Sequence, residues 1–325
     1  MSSTYRTGSL VDALDFPAET LRLVAQYRDA LRRDGKSWAD SFARSVRSKL
    51  ENRSFQGLLW SGTGEEAVAL AGWEVSGELG RRAWLYLAEG YQRRPVLEGF
   101  LRRLEAAGGA ALPFISWSDD VPGIAQVDRE AVFARHGFSS VVRSDMRFPK
   151  GVEPARLPPD PSRLPRRLSL ADEVRIADLL FRAYADDPME RALFATTLDQ
   201  REDARRGTHG LLHGEVGRWI PEASFGIEEG GRLIAHTLAN DLEGGLITEV
   251  GVDPSFRHQG FARRLLPFTI DALRSAGFEA PRLVVTMRNT RAVELYLKVG
   301  FQFEPGGSGR LWLNMPVLRA GSPAP

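Results

Sequence analysis

Hydrophobic residues recur along the second half of the chain with two different spacings. Spacings of three and four residues are typical of amphipathic helices, whereas alternation by two is typical of strands. The pattern predicts strands at residues 166–169, 224–228, 232–240, 246–252, 282–286 and 311–314. It predicts helices over residues 169–183, 189–198, 261–276 and 290–299. This half of the chain therefore reads as one α/β domain.

The first half of the chain repeats this order more faintly. Helical spacing covers residues 18–32 and 96–106, and strand-like runs cover residues 55–60, 67–75 and 83–87. The repeat length is about 165 residues, too long for a solenoid, so we predict two copies of one domain. Each copy is expected to be a mixed, mostly antiparallel, twisted sheet flanked by helices.

A proline-rich segment separates the two halves. The run PKGVEPARLPPDPSRLPRR contains six prolines, which remove backbone donors and exclude both helix interior and sheet interior. The predicted organisation is therefore a first domain at residues 1–148, a linker at 149–165 and a second domain at 166–325.

Composition narrows the classes of function. The 325 residues are 43% hydrophobic, enough for two cores, and the formal net charge of +1 does not favour a nucleic-acid partner. Absence of cysteine excludes thiolate nucleophiles and thiolate metal sites. We see neither a signal peptide nor an apolar run of about 18 residues, so we expect a cytoplasmic protein without a membrane partner.

The most informative segment is GVDPSFRHQGFARRLL, which begins at Gly251. A predicted strand ends at Val252 and a predicted helix begins near Phe261, with small residues Gly260 and Ala262 at the junction. Free N–H groups at a helix start carry the positive end of the helix dipole, and small residues let an anion approach them. The turn therefore predicts a site for a pyrophosphate.

Two motifs resemble those of the GNAT (general N-acetyltransferase) superfamily. The first is the turn Arg-x-x-Gly-x-Ala at residues 257–262, which is similar to the family's acetyl-coenzyme A loop. The second is NTRAVELYLKVGF at residues 289–301, similar to a family signature of Asn, Ala, Leu-Tyr and Gly-Phe. The motifs stand in the family's order, about 30 residues apart.

This resemblance implies roles for particular residues and acetyl-CoA as the acyl donor. Backbone amides of the turn would hold the pyrophosphate, and the splayed strand would pair with the pantetheine arm, which Asn289 would also bind. Tyr296 would protonate the leaving thiolate. The implied coenzyme site comprises Val250, Gly251, Val252, Arg257, His258, Gln259, Gly260, Phe261, Ala262, Arg263 and Asn289.

The chemistry of acyl transfer asks for an acid and a base. An amine that attacks a thioester expels a thiolate, and a nearby phenol such as Tyr296 is a competent proton donor. The amine must also lose a proton, for which Glu249 on the predicted strand is the candidate. Regular alternation places Ile247 and Gly251 on the same strand face as Glu249. An exposed strand glutamate is an equal alternative.

Other polar clusters carry weaker signals. His209 and His213 have the i, i+4 spacing of metal ligands, but no third ligand is evident nearby, so surface histidines and no metal are expected. Asp186, Asp187 and Glu190 lie where the family builds much of its acceptor pocket. They would recognise a cationic amine, or equally serve as caps and solvated charges.

The first half of the chain lacks parts of both motifs. Pro95, which has no N–H, aligns with Gly260, and Leu97 aligns with Ala262 and would crowd the phosphates. Phe133 aligns with Tyr296, so the phenol is lost. We therefore predict a degenerate first domain and one coenzyme site per chain.

Three functions remain open on the sequence alone. The leading one is N-acetyl transfer to a primary amine of a small molecule or a peptide. The second is a catalytically silent acyl-CoA-binding or scaffold protein, which the intact Tyr296 disfavours. The third, a peptidyl transferase using aminoacyl-tRNA on tandem domains of this fold, is disfavoured by the neutral net charge.

Overall fold

The structure is a computed structural model that describes residues 10–36, 39–61, 66–76, 80–108, 116–118, 121–187, 190, 200–242 and 244–314. The chain divides into two compact units. Unit 1 comprises Met1–Ser140 with Arg310–Pro325, and unit 2 comprises Val141–Gly309. Unit 1 thus combines two stretches that are far apart in the sequence. The predicted domains, at 1–148 and 166–325, are each continuous in sequence, and these limits stay a prediction.

Unit 1 is a sheet with the strand order β1-β2-β3-β4-β5-β13, in which β4 and β5 run parallel and β1–β2, β2–β3, β3–β4 and β5–β13 antiparallel. Two hydrophobic clusters form its core. Its elements are β1 Leu10–Asp12, α1 Pro17–Arg33, α2 Ala39–Glu51, β2 Gln56–Ser61, β3 Ala67–Ser76, β4 Gly80–Leu87, α3 Arg94–Gly108, β5 Ser116–Ser118, α4 Gln126–Arg135 and residues 310–314 of β13.

Unit 2 has the strand order β13-β6-β12-β11-β10-β9-β7, with β8 paired to β10. Within it, β11 and β12 run parallel, whereas β6–β12, β10–β11, β9–β10 and β7–β9 are antiparallel. Its elements are β6 Phe138–Arg147, β7 Arg166–Arg167, α5 Glu173–Tyr184, α6 Gln200–Leu212, β8 Arg218–Trp219, β9 Phe225–Glu229, β10 Arg232–Asp241, β11 Leu246–Val252, α7 Phe261–Ser275, β12 Arg282–Thr286, α8 Thr290–Val299 and β13 Gln302–Asn314.

The predicted fold class is confirmed, because each unit is a mostly antiparallel sheet with helices. Helices α7 and α8 coincide with their predicted spans within one residue, and the Ser169–Asp172 capping box forms. The sequence pattern missed α2 and α6, and it started β13 nine residues too late. The predicted helix at 189–198 lies outside the described residues except for Glu190.

The proline-rich segment is anchored on unit 2. Arg274 donates to the carbonyl oxygens of Pro149 and Val152, both at 2.6 Å, and Arg264 donates to that of Pro158 at 2.7 Å. These guanidinium groups belong to α7 and satisfy carbonyls that have no partner in a sheet or helix. Residues 149–165 of this segment contain no α-helix and no sheet strand, and their regular structure is a 3-10 turn at Pro161–Arg163. The last two residues of the segment, Arg166–Arg167, form strand β7.

The described helices can be compared with a bilayer-spanning helix in length and apolar character. Not one of them combines the length and the apolar character that a bilayer-spanning helix requires.

Candidate active site

A cavity of about 760 Å³ opens in unit 2 where β11 and β12 diverge. This volume lies within the range of sites for drug-sized ligands and cofactors. Strands β11 and β12, the turn before α7, the start of α8 and the end of α5 all contribute to its wall. The candidate residues that line it are Glu249, Val250, Val252, Arg257, His258, Gly260, Phe261, Ala262, Arg263, Asn289 and Tyr296.

The divergence of β11 from β12 leaves backbone groups available. The parallel pairing stops after Leu246↔Arg282 and Ile247↔Leu283, whereas β12 stays paired with β6, on its other side, along its whole length. Within the described residues, the Val250–Val252 backbone therefore has a ladder partner on the β10 side alone. An extended ligand arm can pair with the open side in the manner of an added strand.

A bulge in β11 sets the direction in which Glu249 points. Leu238 pairs with Glu249 and Ala239 pairs with Ile247, so Thr248 is an extra residue. Ile247 consequently packs in the cluster beneath α7 and α8, whereas Leu238, opposite Glu249, packs in the cluster formed with α5 and α6. The prediction that Ile247 shares a strand face with Glu249 was wrong, because regular alternation does not hold across a bulge.

Gly251 permits a close approach of β10. A Cβ at this position would lie 2.7 Å from Cε1 of His236, which is fully buried directly across the strand pair. Burial lowers the pKa of His236 to about 3, so the ring is neutral there. Gly251 thus accommodates the imidazole and is required by packing, besides its predicted contact with a ligand arm.

The turn that precedes α7 presents a row of free amides. Gly260, with φ of +81°, is the N-cap of α7, and His258 also has a positive φ of +64°. Within the described residues, the backbone N–H groups of residues 258–263 donate to no backbone carbonyl, and the first such bond runs from Arg264 to Gly260. Six successive free donors at a helix N-terminus form an anion-binding concavity.

Side chains around this turn have structural partners. Arg257 donates to the carbonyl oxygen of Ala183 and lies 3.5 Å from the carboxylate of Asp186. Arg163 of the proline-rich segment donates to Gln259 at 3.4 Å and lies over the ring of Phe261 at 4.7 Å. The exposed Gln259 and the side chain of Arg257 therefore hold the shape of the turn, while residues 258 and 260–263 line the cavity.

Helix α8 positions two further candidates. The side-chain oxygen of Asn289 accepts a hydrogen bond from the Ala292 amide at 3.2 Å and caps the helix, so the carboxamide N–H groups can still reach a ligand. Two turns on, Tyr296 is buried at 8% exposure, with its ring against Phe301. Its hydroxyl makes no hydrogen bond within the described residues.

Glu249 has an altered acidity. It is 4% exposed, and burial raises its pKa to about 7. The hydroxyl of Tyr184, at the end of α5, donates to Glu249 Oε1 and opposes that rise by stabilising the carboxylate. Burial, together with the charge on Glu249, raises the pKa of Tyr184 well above its ordinary value.

The pKa of Tyr296 is raised by burial and by two nearby carboxylates. Burial is the largest cause of its raised pKa, and the negative charges of Glu249 and Glu190 add to it. The phenol therefore stays protonated at neutral pH and keeps a proton to donate. A carboxyl group with a pKa near neutrality and a protonated phenol thus face one cavity, which is the arrangement that proton transfer in both directions requires.

The far wall of the cavity carries charges that the motifs did not indicate. Glu190 is 8% exposed, accepts a hydrogen bond from Thr286 at 3.3 Å, and burial raises its pKa. Its second oxygen and the Nε of Arg143 are buried without a partner in the described residues. The predicted acceptor residues Asp187 and Glu190 thus line the cavity, whereas Asp186 does not.

Sequence reasoning missed Tyr184 and Arg143. Tyr184 is 65 residues from Glu249 and Arg143 precedes the proline-rich segment, so no local spacing connects either residue with the site. A signal for Tyr184 did exist: a tyrosine on the apolar face at the end of an amphipathic helix, next to three acidic residues, is typical of a site wall.

The two histidines have a third partner that the sequence did not reveal. His209 Nδ1 and His213 Nε2 lie 2.9 Å and 3.0 Å from the two carboxylate oxygens of Glu173, the first residue of α5. The expectation that no third ligand-type residue lies nearby was therefore wrong, because Glu173 is 36 residues from His209 in sequence.

The equivalent turn in unit 1 offers few donors. The amides of Arg93, Val96 and Leu97 already donate to backbone carbonyls, and Pro95 has no N–H. Leu97 is fully buried in the core of unit 1. The prediction that its side chain would crowd the phosphates was therefore wrong. What opposes phosphate binding at this turn is that three of its amides already have acceptors and that Pro95 has no N–H.

Comparisons with known proteins find a family match and curated relatives. Residues 186–301 match the Acetyltransferase (GNAT) family, and this span contains the amide turn, Glu249, Asn289 and Tyr296. The chain is 28% identical over 236 residues to the mycothiol acetyltransferase of Geodermatophilus obscurus, covering 67% of this chain and 70% of that protein.

Solved structures extend the similarity to nearly the whole chain. A GCN5-related N-acetyltransferase from Sphaerobacter thermophilus has a TM-score of 0.58 at 17% identity, over 93% of this chain and 94% of that one. A tandem GNAT protein from the clavulanic acid biosynthesis pathway has a TM-score of 0.52 at 12% identity, over 94% and 97% of the two chains. At these identities the likeness shows a shared tandem fold.

Proposed function

We propose that this chain, whose residues 186–301 match the Acetyltransferase (GNAT) family, moves the acetyl group of acetyl-CoA onto a primary amine. The acceptor is a small molecule or a peptide. The observation that carries the proposal is the convergence, on one cavity, of the free amides of residues 258–263, the buried Glu249 and the buried Tyr296.

The donor side of the cavity suits a coenzyme with a pyrophosphate and an extended arm. The amides of residues 258–263 hold the pyrophosphate with the α7 dipole behind them. The open edge of Val250–Val252 pairs with the pantetheine amides, and the carboxamide of Asn289 donates to the same arm. No metal is needed for this binding mode, since hydrogen-bond donors and the dipole supply the positive potential.

The acceptor side supplies the acid and the base. An acceptor that arrives as an ammonium loses two protons in all. The first leaves to solvent before the attack, and Glu249 takes the second, directly or through a water, as the neutral amine forms the new N–C bond at the thioester carbonyl. As the C–S bond breaks, Tyr296 gives its phenolic proton to the sulfur, and the phenolate is then reprotonated from Glu249 or solvent. The products are the amide, the free thiol of CoA and one proton released to solvent, so atoms and charges balance.

The candidate acceptor is inferred from a curated relative and from the charges in the cavity wall. A relative that is 28% identical is a mycothiol acetyltransferase, and the tandem arrangement of this chain resembles mycothiol synthase, which acts on a cysteinyl amine. A cysteinyl amine is therefore one candidate acceptor. Asp187 is paired with Arg288 at 2.8 Å, whereas Glu190 keeps one buried oxygen without a partner in the described residues. Glu190 and Glu249 are therefore the two buried carboxyl groups in the cavity wall that an acceptor ammonium can meet.

A screen of amines decides between the enzyme and a silent binding protein. We expect acetyl-CoA to bind the full chain with one site, by calorimetry, and CoA to be released when a suitable amine is added. Release of CoA with no amine in the panel, despite tight binding of one acetyl-CoA per chain, would favour the binding or scaffold alternative. Two equivalent sites would contradict the degenerate character of unit 1.

The pH dependence of turnover tests Glu249 as the base. A base works deprotonated, so kcat/KM should rise with pH through the pKa of Glu249, about 7. Tyr184→Phe removes the hydrogen bond that lowers this pKa, and the acid limb of the profile should move to higher pH. The measurement is kcat/KM across pH for wild type and variant.

Glu249→Gln provides the matched comparison for this profile. It keeps the shape of the side chain but cannot accept the proton, so turnover should fall about 10²-fold and the acid limb should flatten. An acid limb with an unchanged midpoint in both variants would exclude Glu249 from the proton transfer.

A further inference from the structure

A three-residue cluster lies on unit 2 away from the cavity. His209 near the end of α6 and His213 one turn later stack their rings with centroids 4.1 Å apart. Both rings direct a nitrogen at Glu173, which opens α5. None of the three residues is among those lining the cavity.

We propose that Glu173, His209 and His213 bind one divalent transition-metal ion of the zinc type. Imidazole nitrogens and a carboxylate oxygen are ligands that Zn²⁺ accepts, and three protein ligands leave a fourth position for water. Spacing of i, i+4 places both histidines on one helix face, as a shared ion requires.

The distances fit an ion with little rearrangement. Ligand atoms from the three side chains all lie within 4.8 Å of one another, and the two N···O distances are 2.9 Å and 3.0 Å. Tetrahedral Zn²⁺ with bonds of about 2.0–2.1 Å separates its ligand atoms by about 3.3 Å. Small changes of the side-chain torsions therefore open the space for the ion.

The scaffold beneath the cluster is preorganised. Ile176 and Leu179 of α5 pack with Leu211 and Leu212 of α6 in one buried cluster, which fixes the two helices against each other. The His213 amide also donates to the His209 carbonyl at 2.8 Å, so the turn between the histidines is helical. A site on packed helices holds its ligands more accurately than one on loops.

The ion would act on stability rather than on chemistry. It would connect α5 to α6, and α5 ends at Tyr184, which donates to Glu249 in the cavity. Binding to the folded state alone raises its stability by mass action. The competing explanation is a metal-free group in which Glu173 accepts hydrogen bonds from both imidazoles.

Calorimetric titration of the chelator-treated full chain with Zn²⁺ separates these explanations. We expect one ion per chain and a higher Tm with Zn²⁺. The double variant His209→Ala/His213→Ala should lose at least about tenfold in affinity together with the Tm shift, and Glu173→Gln should weaken binding likewise. The histidine side chains are 55% and 40% exposed, so their truncation leaves the core intact.

His136→Gln is the control. His136 forms a similar pair with Glu105 at 2.7 Å in unit 1, with no third ligand-type residue within reach among the described residues. Its side chain is 8% exposed, so glutamine is used to fill the space of the imidazole. This substitution should leave Zn²⁺ affinity unchanged. Absence of binding by the wild-type chain in excess Zn²⁺, or equal binding by the double variant, would overturn the proposal and leave the hydrogen-bonded group.

Discussion

Tyr296→Phe is expected to lower turnover by about 10²–10³-fold while acetyl-CoA affinity stays close to that of the wild type. The substitution keeps the ring that packs on Phe301 and deletes the hydroxyl alone. Expulsion of an unprotonated thiolate then has to proceed without a positioned acid. Single-turnover release of CoA, measured beside calorimetric affinity, separates the loss of chemistry from a loss of binding.

Tyr86→Phe is a suitable control for this loss. The hydroxyl of Tyr86 is also buried, has no partner within the described residues and lies in unit 1, far along the chain from the motifs. Its removal should leave turnover unchanged and stability equal or slightly higher, because an unsatisfied polar atom is deleted. Wild-type turnover in Tyr296→Phe would remove the phenol from the mechanism.

Gly260→Pro should abolish most acetyl-CoA affinity, with a loss of at least about 30-fold expected from the removal of one amide and the distortion of its neighbours. Gly260 has φ of +81°, a value that proline cannot adopt, so the row of amides from residue 258 to 263 loses its alignment. Calorimetry with acetyl-CoA gives the affinity, and circular dichroism verifies that the variant is folded.

Two further variants define what this loss means. Gly260→Ala retains the amide but strains the backbone and places a methyl 2.9 Å from Leu157, so it should have a smaller effect in the same direction. Pro95→Gly changes the matching turn of unit 1 and should alter neither binding nor turnover. Full affinity in folded Gly260→Pro would exclude the turn as the pyrophosphate site.

Local signals carried much of the prediction. Helices α7 and α8 follow from the apolar spacing of residues 261–276 and 290–299, and the turn before α7 from small residues between a strand and a helix. The capping box is equally local, since its two partners, Ser169 and Asp172, are three positions apart in the sequence. These features need no tertiary information.

Features that depend on distant contacts were not predictable. The hydrogen bond from Tyr184 to Glu249 joins α5 to β11, and the bulge at Thr248 becomes visible only in the pairing with β10. Helix α6 has few apolar residues, so its hydrophobic pattern was weak although its buried side packs on α5. Each of these features depends on contacts between residues that are distant in the sequence.

The limits of the two units bear on experiments with fragments. Residues 143–147 of β6 pair with β12 in unit 2, so a fragment that begins at 166 lacks a strand of its own sheet and exposes an unpaired edge. It also lacks the part of the proline-rich segment that Arg274 holds. A fragment for binding studies is therefore better begun near residue 141.

The end of β13, at residues 310–314, belongs to unit 1 although it follows unit 2 in the sequence. Unit 1 therefore cannot complete its fold before unit 2 has been synthesised. Trp312 is 2% exposed and stacks on Phe133 at 5.0 Å, so the core of unit 1 includes a side chain that is synthesised only after the whole of unit 2. Such a contact closes a loop of well over a hundred residues, which slows folding. During synthesis, the core of unit 1 is therefore completed only after residues 310–314 of β13 have left the ribosome.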